Sequence, residues 1–405
     1  MPEWRSSTWG EEVTLEYGRA LRDYSEVGGA VRVFGTNGPI GWTDTPLAQG
    51  PGVILGRKGA YRGVHYSPDP FFVIDTAYYV VPKTELDMRW LYYAIIHHQL
   101  GQIDDGSPIP STTRAAVYPR EIDVPLPDEQ RAIARVLGAL DDKIEQNRRT
   151  ARALERLARA IFQAWFVDFE PVKAKAEGTT AFPSMSQPVF DALPTRFVES
   201  AIGPVPEGWE VKPLAEIATF LNGLALQKYP PRADGEDLRV IKIAELRKGS
   251  AENADLANSD VPAEYVIDDG DLLFSWSGTL EAEFWFGGKG ALNQHLFKVT
   301  SSQFPSWFCL RWIREHLPWF RTIAASKATT MGHIKRGHLE EAQVVVPPAA
   351  VTREADKTLG RLHDLNAQLM IESRRLAATR DYLLPKLLSG DVRVARSRGE
   401  GVDRE

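Results

Sequence analysis

The most constraining feature of the chain is a heptad seam that occurs twice. In the first copy, mostly apolar residues recur at alternating steps of four and three from Ile133 to Trp165. The same steps recur from Ala355 to Leu387, and each position lies 222 residues beyond its counterpart. Such steps are typical of helices in a coiled coil. A long helix that occurs twice, with a globular block before each copy, indicates a tandem duplication.

Composition narrows the possible functions only weakly. The chain has 405 residues, which suggests two or three domains, and its net charge of −6 argues against a uniformly basic nucleic-acid binder. DNA binding stays open, because affinity for phosphates depends on where Lys and Arg lie and a partner subunit could supply them. The single cysteine, Cys309, excludes an intrachain disulfide and a cysteine-based zinc site. It fits a reducing cytoplasm, and no apolar run is long enough to predict a membrane span.

The patterns predict an α+β fold with a regular organisation. Short apolar runs such as Gly52 to Gly56 and Ala77 to Val81 predict strands, and Asp87 to Leu100 predicts a helix. Asp128 is the expected N-cap of the first long helix, after a Val-Pro breaker. The expected boundaries are a first globular block at 1–127, a long helix at 128–170, a linker at 171–203, a second block at 204–348, a second long helix at 349–391 and a loose tail at 392–405.

Two polar residues, Asn147 and Asn366, occupy seam positions. A polar group in a seam weakens packing but fixes the register of a helix against its partner. The alternative interpretation is that both are tolerated in frayed, partly hydrated stretches. The sequence favours neither.

The two globular blocks are also related. Trp4 and Trp209 each stand fourteen residues before a Gly-x-Ala-Leu, at Gly18 and Gly223. The segment from Gly52 to Gly59 is similar to that from Asp271 to Gly278, although the loop residues differ. We infer one frame that carries two different sets of loops.

At four places the sequence resembles the specificity subunits of Type I restriction–modification systems. The strings are Gly208-Trp-Glu-Val-Lys-Pro-Leu214, Gly270-Asp-Leu-Leu-Phe-Ser-Trp-Ser-Gly278, Val124-Pro-Leu-Pro-Asp-Glu-Gln-Arg-Ala-Ile133 and Asp381-Tyr-Leu-Leu-Pro-Lys-Leu-Leu-Ser-Gly390. The resemblance implies two target-recognition domains in tandem, separated by two long antiparallel coiled-coil helices. It also implies a bipartite double-stranded DNA target, two methyltransferase subunits as partners, and endonuclease–translocase subunits in a larger complex. Helix length would then set the gap between the half-sites. Two recognition domains that bind about one DNA turn apart need a spacer of roughly 34–36 Å between them.

Proteins read bases in the major groove through side-chain hydrogen bonds to the base edges. Arg and Lys bind guanine, and Asn and Gln bind adenine. Four loops carry such side chains together with hydroxyls that suit phosphates. The predicted DNA-binding residues of the first block are Arg57, Lys58, Tyr61, Arg62, Ser111, Thr112, Thr113 and Arg114. Those of the second block are Ser275, Trp276, Ser277, Thr279, Lys327, Thr329, Thr330, His333, Lys335 and Arg336. The alternative is that Arg57 to Arg62 is a solvated turn and Trp276 a core residue.

Three aromatic residues at the end of the first long helix, Phe162, Phe166 and Phe169, lie off the main seam. Exposed aromatic patches mark interfaces, so these side chains are candidates for binding a partner subunit. The alternative is that they pack under the nearby linker.

Motifs for catalysis are missing from the sequence. It has no glycine-rich cofactor loop with an Asn-Pro-Pro or Asp-Pro-Pro motif and no phosphate-binding P-loop. Glu210 and Lys212 with Asp191 are weakly similar to a nuclease carboxylate set, but a strand is the better interpretation. We therefore expect a non-catalytic subunit with no cofactor and no metal ion. The rival hypotheses are a self-contained methyltransferase or nuclease, and a coiled-coil scaffold that binds protein only.

Overall fold

The structure is a computed structural model that describes residues 4–26, 28–103, 109–232, 235–326 and 332–394. The chain divides into two compact units. Unit 1 comprises Met1–Ile144 and Leu376–Glu405, and unit 2 comprises Glu145–Arg375. Each unit contains one mixed helix and strand block together with a part of each long helix, so the predicted α+β class is confirmed.

Among the residues that the structure describes, unit 1 has three sheets. Its strands are β1 (Arg5–Thr8), β2 (Val13–Tyr17), β3 (Val31–Gly35), β4 (Gly38–Thr43), β5 (Gly52–Gly56), β6 (Val64–Ser67), β7 (Phe71–Val73), β8 (Ala77–Pro82) and β9 (Glu121–Val124). One sheet has the order β2-β8-β5-β6, another has the order β4-β3-β7, and β1 pairs with β9. All five residues of β5 are buried, because the strand lies inside its sheet and against the core.

The helices of unit 1 outside the long ones are Trp9–Glu12, Met88–His97 and Arg114–Val117, with a 3₁₀ turn at Leu100–Gln102. The predicted helix starts where expected, since the Asp87 carboxylate caps it by accepting hydrogen bonds from the backbone N–H groups of Arg89 and Trp90, both at 2.9 Å. Its apolar stripe, including Trp90, Leu91 and Ile95, is buried in the main core of this unit.

Unit 2 has four sheets in the part of the chain that the structure describes. Its strands are β10 (Phe197–Val198), β11 (Val205–Pro206), β12 (Glu210–Pro213), β13 (Thr219–Asn222), β14 (Leu238–Ile241), β15 (Leu256–Ala257), β16 (Val266–Ile267), β17 (Leu272–Ser275), β18 (Ala282–Phe284), β19 (Gly290–Leu292), β20 (Leu296–Thr300) and β21 (Gln343–Val346). Its shorter helices are Glu170–Ala176, Gln187–Ala192, Leu214–Ile217, Ile243–Lys248, Ser306–Ser326, Arg336–Glu341 and Ala349–Ala355, with 3₁₀ turns at Leu226–Lys228 and Ala263–Tyr265. The linker expected at 171–203 therefore holds most of two of these helices and β10.

The internal architecture of the two units is repeated. The order β2-β8-β5-β6 in unit 1 corresponds to β13-β20-β17-β18 in unit 2, and the strand pair β1 and β9 corresponds to β12 and β21. In each unit one pair is parallel, β3 with β7 and β14 with β19. The tandem repeat predicted from the sequence is thus confirmed by strand order.

The first long helix is Pro127–Phe162, followed by a π-helical turn at Gln163–Val167. It begins at Pro127, before the predicted N-cap, so Asp128 lies in the first turn instead of at the N-cap. A carboxylate there still faces the positive end of the helix dipole. The second long helix is Arg361–Leu388, preceded by a π-helical turn at Asp356–Gly360, and Pro385 lies in its last turn.

The two long helices pack antiparallel within each unit. In unit 1, Leu387 shares a core with Ile133 and Leu137, and Arg380 forms an ion pair of 2.7 Å with Asp141. In unit 2, the Asn366 amide donates to the Ala151 carbonyl oxygen at 3.3 Å. The antiparallel coiled-coil helices of the predicted fold are therefore confirmed. In the described part of the chain, none of the helices has the length and apolar composition needed to cross a bilayer.

Candidate nucleic-acid interface

The two predicted loops of unit 1 lie side by side. The loop after β5 and the segment from Ser111 meet through a bridge between Lys58 and Ser111. Thr112 N donates to the Arg57 carbonyl oxygen at 2.9 Å, and Gly59 N donates to the Pro110 carbonyl oxygen at 3.0 Å. The backbone thus joins two segments that are more than fifty residues apart in sequence into one surface.

The side chains of this surface have two distinct roles. Arg62 donates to the carbonyl oxygens of Gly59, Gly101 and Ile103 at 2.6, 2.9 and 3.0 Å. Its Nε also donates to the Thr112 hydroxyl at 3.1 Å, and Thr112 is fully buried. Arg62 and Thr112 were expected to contact DNA, but here they hold the loop together, because buried polar groups must find partners inside the protein.

The remaining predicted side chains of unit 1 are nearer to solvent. Tyr61 is 80% exposed and Lys58 is exposed, while Ser111 and Thr113 are half-buried. The Thr113 hydroxyl caps the short Arg114–Val117 helix, and that of Ser111 donates to the Ile109 carbonyl oxygen at 2.9 Å. Lys58 and Tyr61 are therefore the predicted side chains best placed to reach a ligand.

Arg57 and Arg114 both lie close to one aromatic ring. Their guanidinium carbons are 5.1 and 4.6 Å from the ring centroid of Tyr17, which is 48% exposed. Stacking on an aromatic ring holds a guanidinium flat. Arg114 is also held by its own partners, since its Nε donates to the Leu15 carbonyl oxygen at 2.7 Å and its Nη2 pairs with Glu16 at 3.6 Å. Arg57 donates from Nη2 to the Asp75 carbonyl oxygen at 2.9 Å. Burial raises the pKa of the neighbouring Tyr78, and its hydrogen bond with Tyr17 raises it further, so the Tyr78 phenol stays neutral at physiological pH.

Unit 2 joins its loops by the same hydrogen bonds. Ser277 and His333 form the bridge, Ile334 N donates to the Trp276 carbonyl oxygen at 2.9 Å, and Gly278 N donates to the Gly332 carbonyl oxygen at 2.9 Å. Trp276 therefore stands at the position of Arg57. The frame is preserved between units while the side chains on it differ.

Two predicted DNA-binding residues of unit 2 have buried side chains. Ser275 is fully buried and its hydroxyl donates to the Thr279 carbonyl oxygen at 2.7 Å. Ser277 is 2% exposed and its hydroxyl lies 2.8 Å from His295 Nδ1. Neither hydroxyl reaches the surface, so the expectation that they contact DNA is corrected: both shape the turn.

Trp276 is half-buried, so it is neither a core residue nor a fully exposed one. Its indole N–H donates to Asn222 Oδ1 at 2.8 Å and to the Gln294 carbonyl oxygen at 3.1 Å. Thr279, Lys335 and Arg336 are exposed, and His333 is half-buried with its ring 6.3 Å from that of Trp276. The predicted residues Lys327, Thr329 and Thr330 lie outside the described residues.

Sequence reasoning missed Tyr17 and Asn222, which the structure brings to these surfaces. Each residue directly precedes a repeated glycine, Gly18 or Gly223, and a Cβ on either glycine would lie within 2.3 Å of a backbone carbonyl oxygen. Only glycine fits such a close approach. The repeated Gly-x-Ala-Leu was the available signal, since it marks the point where this strand meets the loop frame.

The aromatic end of the first long helix is not a surface. Phe162, Phe166 and Phe169 are 2%, 0% and 9% exposed and belong to the main core of unit 2. Phe169 packs against Phe197 and Trp209, with ring centroids 6.1 and 5.6 Å apart. The expectation that they bind a partner is therefore corrected in favour of the alternative, packing beneath the linker, since buried rings cannot contact another chain.

The nuclease-like residues are explained by secondary structure. Glu210 and Lys212 lie on β12 and form an ion pair of 2.6 Å, while Asp191 lies in a separate helix.

Burial raises the pKa of the Cys309 thiol to about 12, so it is not a nucleophile at neutral pH. Among the residues that the structure describes, no cluster of His, Cys, Asp and Glu is arranged to hold a metal ion.

Comparisons with known proteins agree with this architecture. The family model described as the Type I restriction modification DNA specificity domain matches residues 23–156 and 206–377. The MjaIX specificity subunit of Methanocaldococcus jannaschii is 25% identical over 78% of this chain and 71% of its own length. The HindI specificity subunit of Haemophilus influenzae is 23% identical over 70% of this chain and 71% of its own length. Both relatives are named as subunits of Type I restriction enzymes.

A solved structure shows the same fold. It is an S subunit of a Type I restriction–modification system from M. genitalium, with a TM-score of 0.57 and 16% identity. The likeness covers 95% of this chain and 96% of that one. At this identity the likeness concerns the fold alone.

Proposed function

Because the chain belongs to the family of the Type I restriction modification DNA specificity domain, we propose that it reads a bipartite double-stranded DNA target. One half-site binds the surface of unit 1 formed by Lys58, Tyr61 and Arg57, and the other binds the surface of unit 2 around Trp276. The observation that carries the proposal is the repeated loop frame with different side chains, since two unlike readers on one chain suit a target of two unlike parts.

The two long helices are proposed to set the gap between the half-sites. The first runs unbroken for 36 residues from Pro127 in unit 1 to Phe162 in unit 2. At 1.5 Å per residue this is a helix of about 54 Å, longer than the roughly 34–36 Å of one DNA turn. Its antiparallel contacts with the second long helix stiffen it, as a spacer requires.

Methyltransferase subunits are the proposed partners, joined by endonuclease–translocase subunits in a larger complex. With the three phenylalanines buried, the docking surface is assigned to exposed apolar side chains of the long helices. Leu157 is 50% exposed, Leu365 43% and Tyr382 63%. Where such side chains form a contiguous apolar patch, they mark a protein–protein interface. Partner subunits would also supply positive charge to hold DNA against a chain whose net charge is −6.

The proposal is tested by selecting duplexes from a random pool with the chain bound to its methyltransferase partner. We expect a two-part sequence with a fixed gap, and mapping of methylated adenines in host DNA should return the same sequence. A complex that retains no preferred sequence would instead fit a protein-only scaffold. Methyl transfer by the purified chain alone, given S-adenosylmethionine and DNA, would contradict the non-catalytic role.

A further inference from the structure

Three positions correspond between the two units and lie together in each. Gly18 N donates to the Ala77 carbonyl oxygen at 3.1 Å, and Gly223 N donates to that of Leu296 at 3.0 Å. These bonds make Tyr17 equivalent to Asn222. Likewise Arg57 N donates to the Thr76 carbonyl oxygen and Trp276 N to that of His295, at 3.0 and 3.3 Å. Asp75 and Gln294, which directly precede Thr76 and His295, are therefore equivalent too.

In each unit the residue at the second position, Arg57 or Trp276, contacts the residues at the other two positions. Arg57 stacks on Tyr17 and donates from Nη2 to the Asp75 carbonyl oxygen at 2.9 Å. Trp276 donates from its indole to Asn222 Oδ1 and to the Gln294 carbonyl oxygen. The backbone positions correspond, but the chemistry at the first position changes from a phenol to a primary amide. A position with a constant place in the backbone frame and a changed side chain is where a difference in specificity arises.

The indole N–H defines the orientation of the Asn222 amide. A donor can only face the oxygen end of a carboxamide, so Oδ1 points to Trp276 and the NH₂ group points away from it. Asn222 is half-buried, and its NH₂ group has no hydrogen-bond partner among the described residues. One lone pair of Oδ1 also stays available. The amide therefore presents one donor and one acceptor side by side.

From this arrangement we infer that Asn222 reads an adenine in the half-site bound by unit 2, with Trp276 as its positioning residue. Adenine presents an acceptor, N7, next to a donor, the N6 amino group, in the major groove. The NH₂ group of Asn222 matches N7, and Oδ1 matches N6–H. Guanine presents two acceptors, N7 and O6, and would leave Oδ1 without a donor. This inference rests on the proposed function, because it assumes that unit 2 binds DNA.

The decisive test is site selection with Asn222→Ala and Asn222→Asp, each in complex with the methyltransferase partner. Asn222→Ala should lose a preference of roughly 5- to 100-fold for adenine at one position of one half-site. Asn222→Asp keeps an acceptor for the indole N–H but replaces the amide donor with a second acceptor. Since carboxylates accept from the cytosine N4 amino group, preference at that position should move from adenine to cytosine.

The controls separate a base contact from a structural one. Trp276→Phe keeps an aromatic ring but removes the indole donor, so the same position should become less selective while the other half-site is unchanged. Gln303→Ala is the control for loss of a side-chain amide. Gln303 follows β20, whereas Gln294 precedes it, so Gln303→Ala should leave every base preference unchanged. Thermal melting of each variant shows whether it folds.

The outcomes also separate this inference from the proposed function. If the wild-type complex selects no sequence, both are overturned. If the wild type selects a two-part site and folded Asn222→Ala and Asn222→Asp keep every base preference, only the adenine contact is overturned. A move to cytosine in Asn222→Asp supports both.

Discussion

The Asn147 side chain donates a hydrogen bond of 2.7 Å to Glu372 Oε2, across the antiparallel contact of the two long helices in unit 2. Asn147 is only 1% exposed. A buried asparagine that is hydrogen-bonded to the opposite helix specifies register, which the sequence alone left undecided against a frayed, hydrated stretch. Its repeat counterpart, Asn366, is half-buried and makes a longer bond to a backbone carbonyl oxygen.

We expect Asn147→Ala to lower the free energy of unfolding by about 1–3 kcal/mol, because it removes a buried hydrogen bond to a charged group. Asn366→Ala, the matched control from the repeat, should lower it by no more than about 1 kcal/mol. Urea unfolding followed by tryptophan fluorescence measures both. Equal losses would show that burial of the seam amide does not decide its contribution.

A second stability prediction concerns Glu155 on the first long helix. Its carboxylate accepts two hydrogen bonds from Arg311, at 2.7 and 2.8 Å, and also pairs with Arg314. The Arg311 side chain is 7% exposed, so removing its partner leaves a charge in a poorly solvated place. Glu155→Ala should therefore cost about 3–5 kcal/mol in the free energy of unfolding.

The control for Glu155 lies on the same helix. Glu145 pairs with Arg149 and Arg152, both at 3.2 Å, but these arginine side chains are 74% and 66% exposed. Exposed ion pairs contribute about 0–1 kcal/mol, so Glu145→Ala should have little effect in the same unfolding experiment. A comparable loss in both variants would contradict the role assigned to burial.

The pH dependence of unit 1 should depend on Glu12, which is fully buried. Burial by itself raises the pKa of Glu12, but hydrogen bonds from Arg5, Ser7 and Thr84 outweigh it and lower the pKa to about 2. A carboxyl whose pKa is lower in the folded state stabilises the protein above its unfolded pKa, here the ordinary 4.5. That stability is lost as the pH falls from about 4.5 to about 2.

We expect the wild type to lose about 3–4 kcal/mol across this window through Glu12. Glu12→Gln should remove that part of the pH dependence and be less stable at pH 7, since Arg5 then faces a neutral amide. Denaturant midpoints measured from pH 7 down to pH 3 give both slopes. Parallel slopes for the two proteins would show that Glu12 titrates normally in the folded chain.

Arg57 gives the prediction for DNA binding by unit 1. Its guanidinium is held against Tyr17 and the Asp75 carbonyl oxygen, which leaves its outer donors for guanine. Arg57→Ala should weaken binding of the selected site by roughly 5- to 100-fold and relax one G·C pair of one half-site. Arg57→Lys should not restore this affinity, because an ammonium group cannot stack flat on the Tyr17 ring or donate two parallel hydrogen bonds to guanine.

Binding of Arg57 variants is measured by gel shift on the selected site and on single-pair variants of it. Arg196→Ala is the control, since Arg196 is an exposed arginine whose ion pair is with Glu207 at 2.8 Å. An unchanged affinity for Arg57→Ala would remove Arg57 from the interface. A uniform loss on all sequences would assign it to phosphate instead of base contact.

The sequence predicted the frame of this protein better than its site. The heptad period alone predicts the seam from Ile133 and its repeat from Ala355. The glycines at the two ends of β5 marked the bounds of that strand. Burial of Ser275, Ser277 and Thr112 was not predictable, because a hydroxyl at a strand end faces solvent or core according to what packs over it. The same reason explains Phe162, whose cover comes from residues distant in sequence.

Our final prediction tests whether the long helices set the gap between half-sites. The division between units falls after Ile144 in the first long helix and after Arg375 in the second. Along the antiparallel pair, both points lie between the Asp141–Arg380 ion pair and the Asn147–Glu372 hydrogen bond. Inserting one heptad at both points preserves the seam and every contact within each unit. Seven residues add about 10 Å, or about three base pairs. Site selection should therefore return unchanged half-sites with a gap about three base pairs longer, whereas a heptad inserted in only one helix should abolish selection by breaking the pairing. An unchanged gap in the double insertion would show that the helices do not measure the distance.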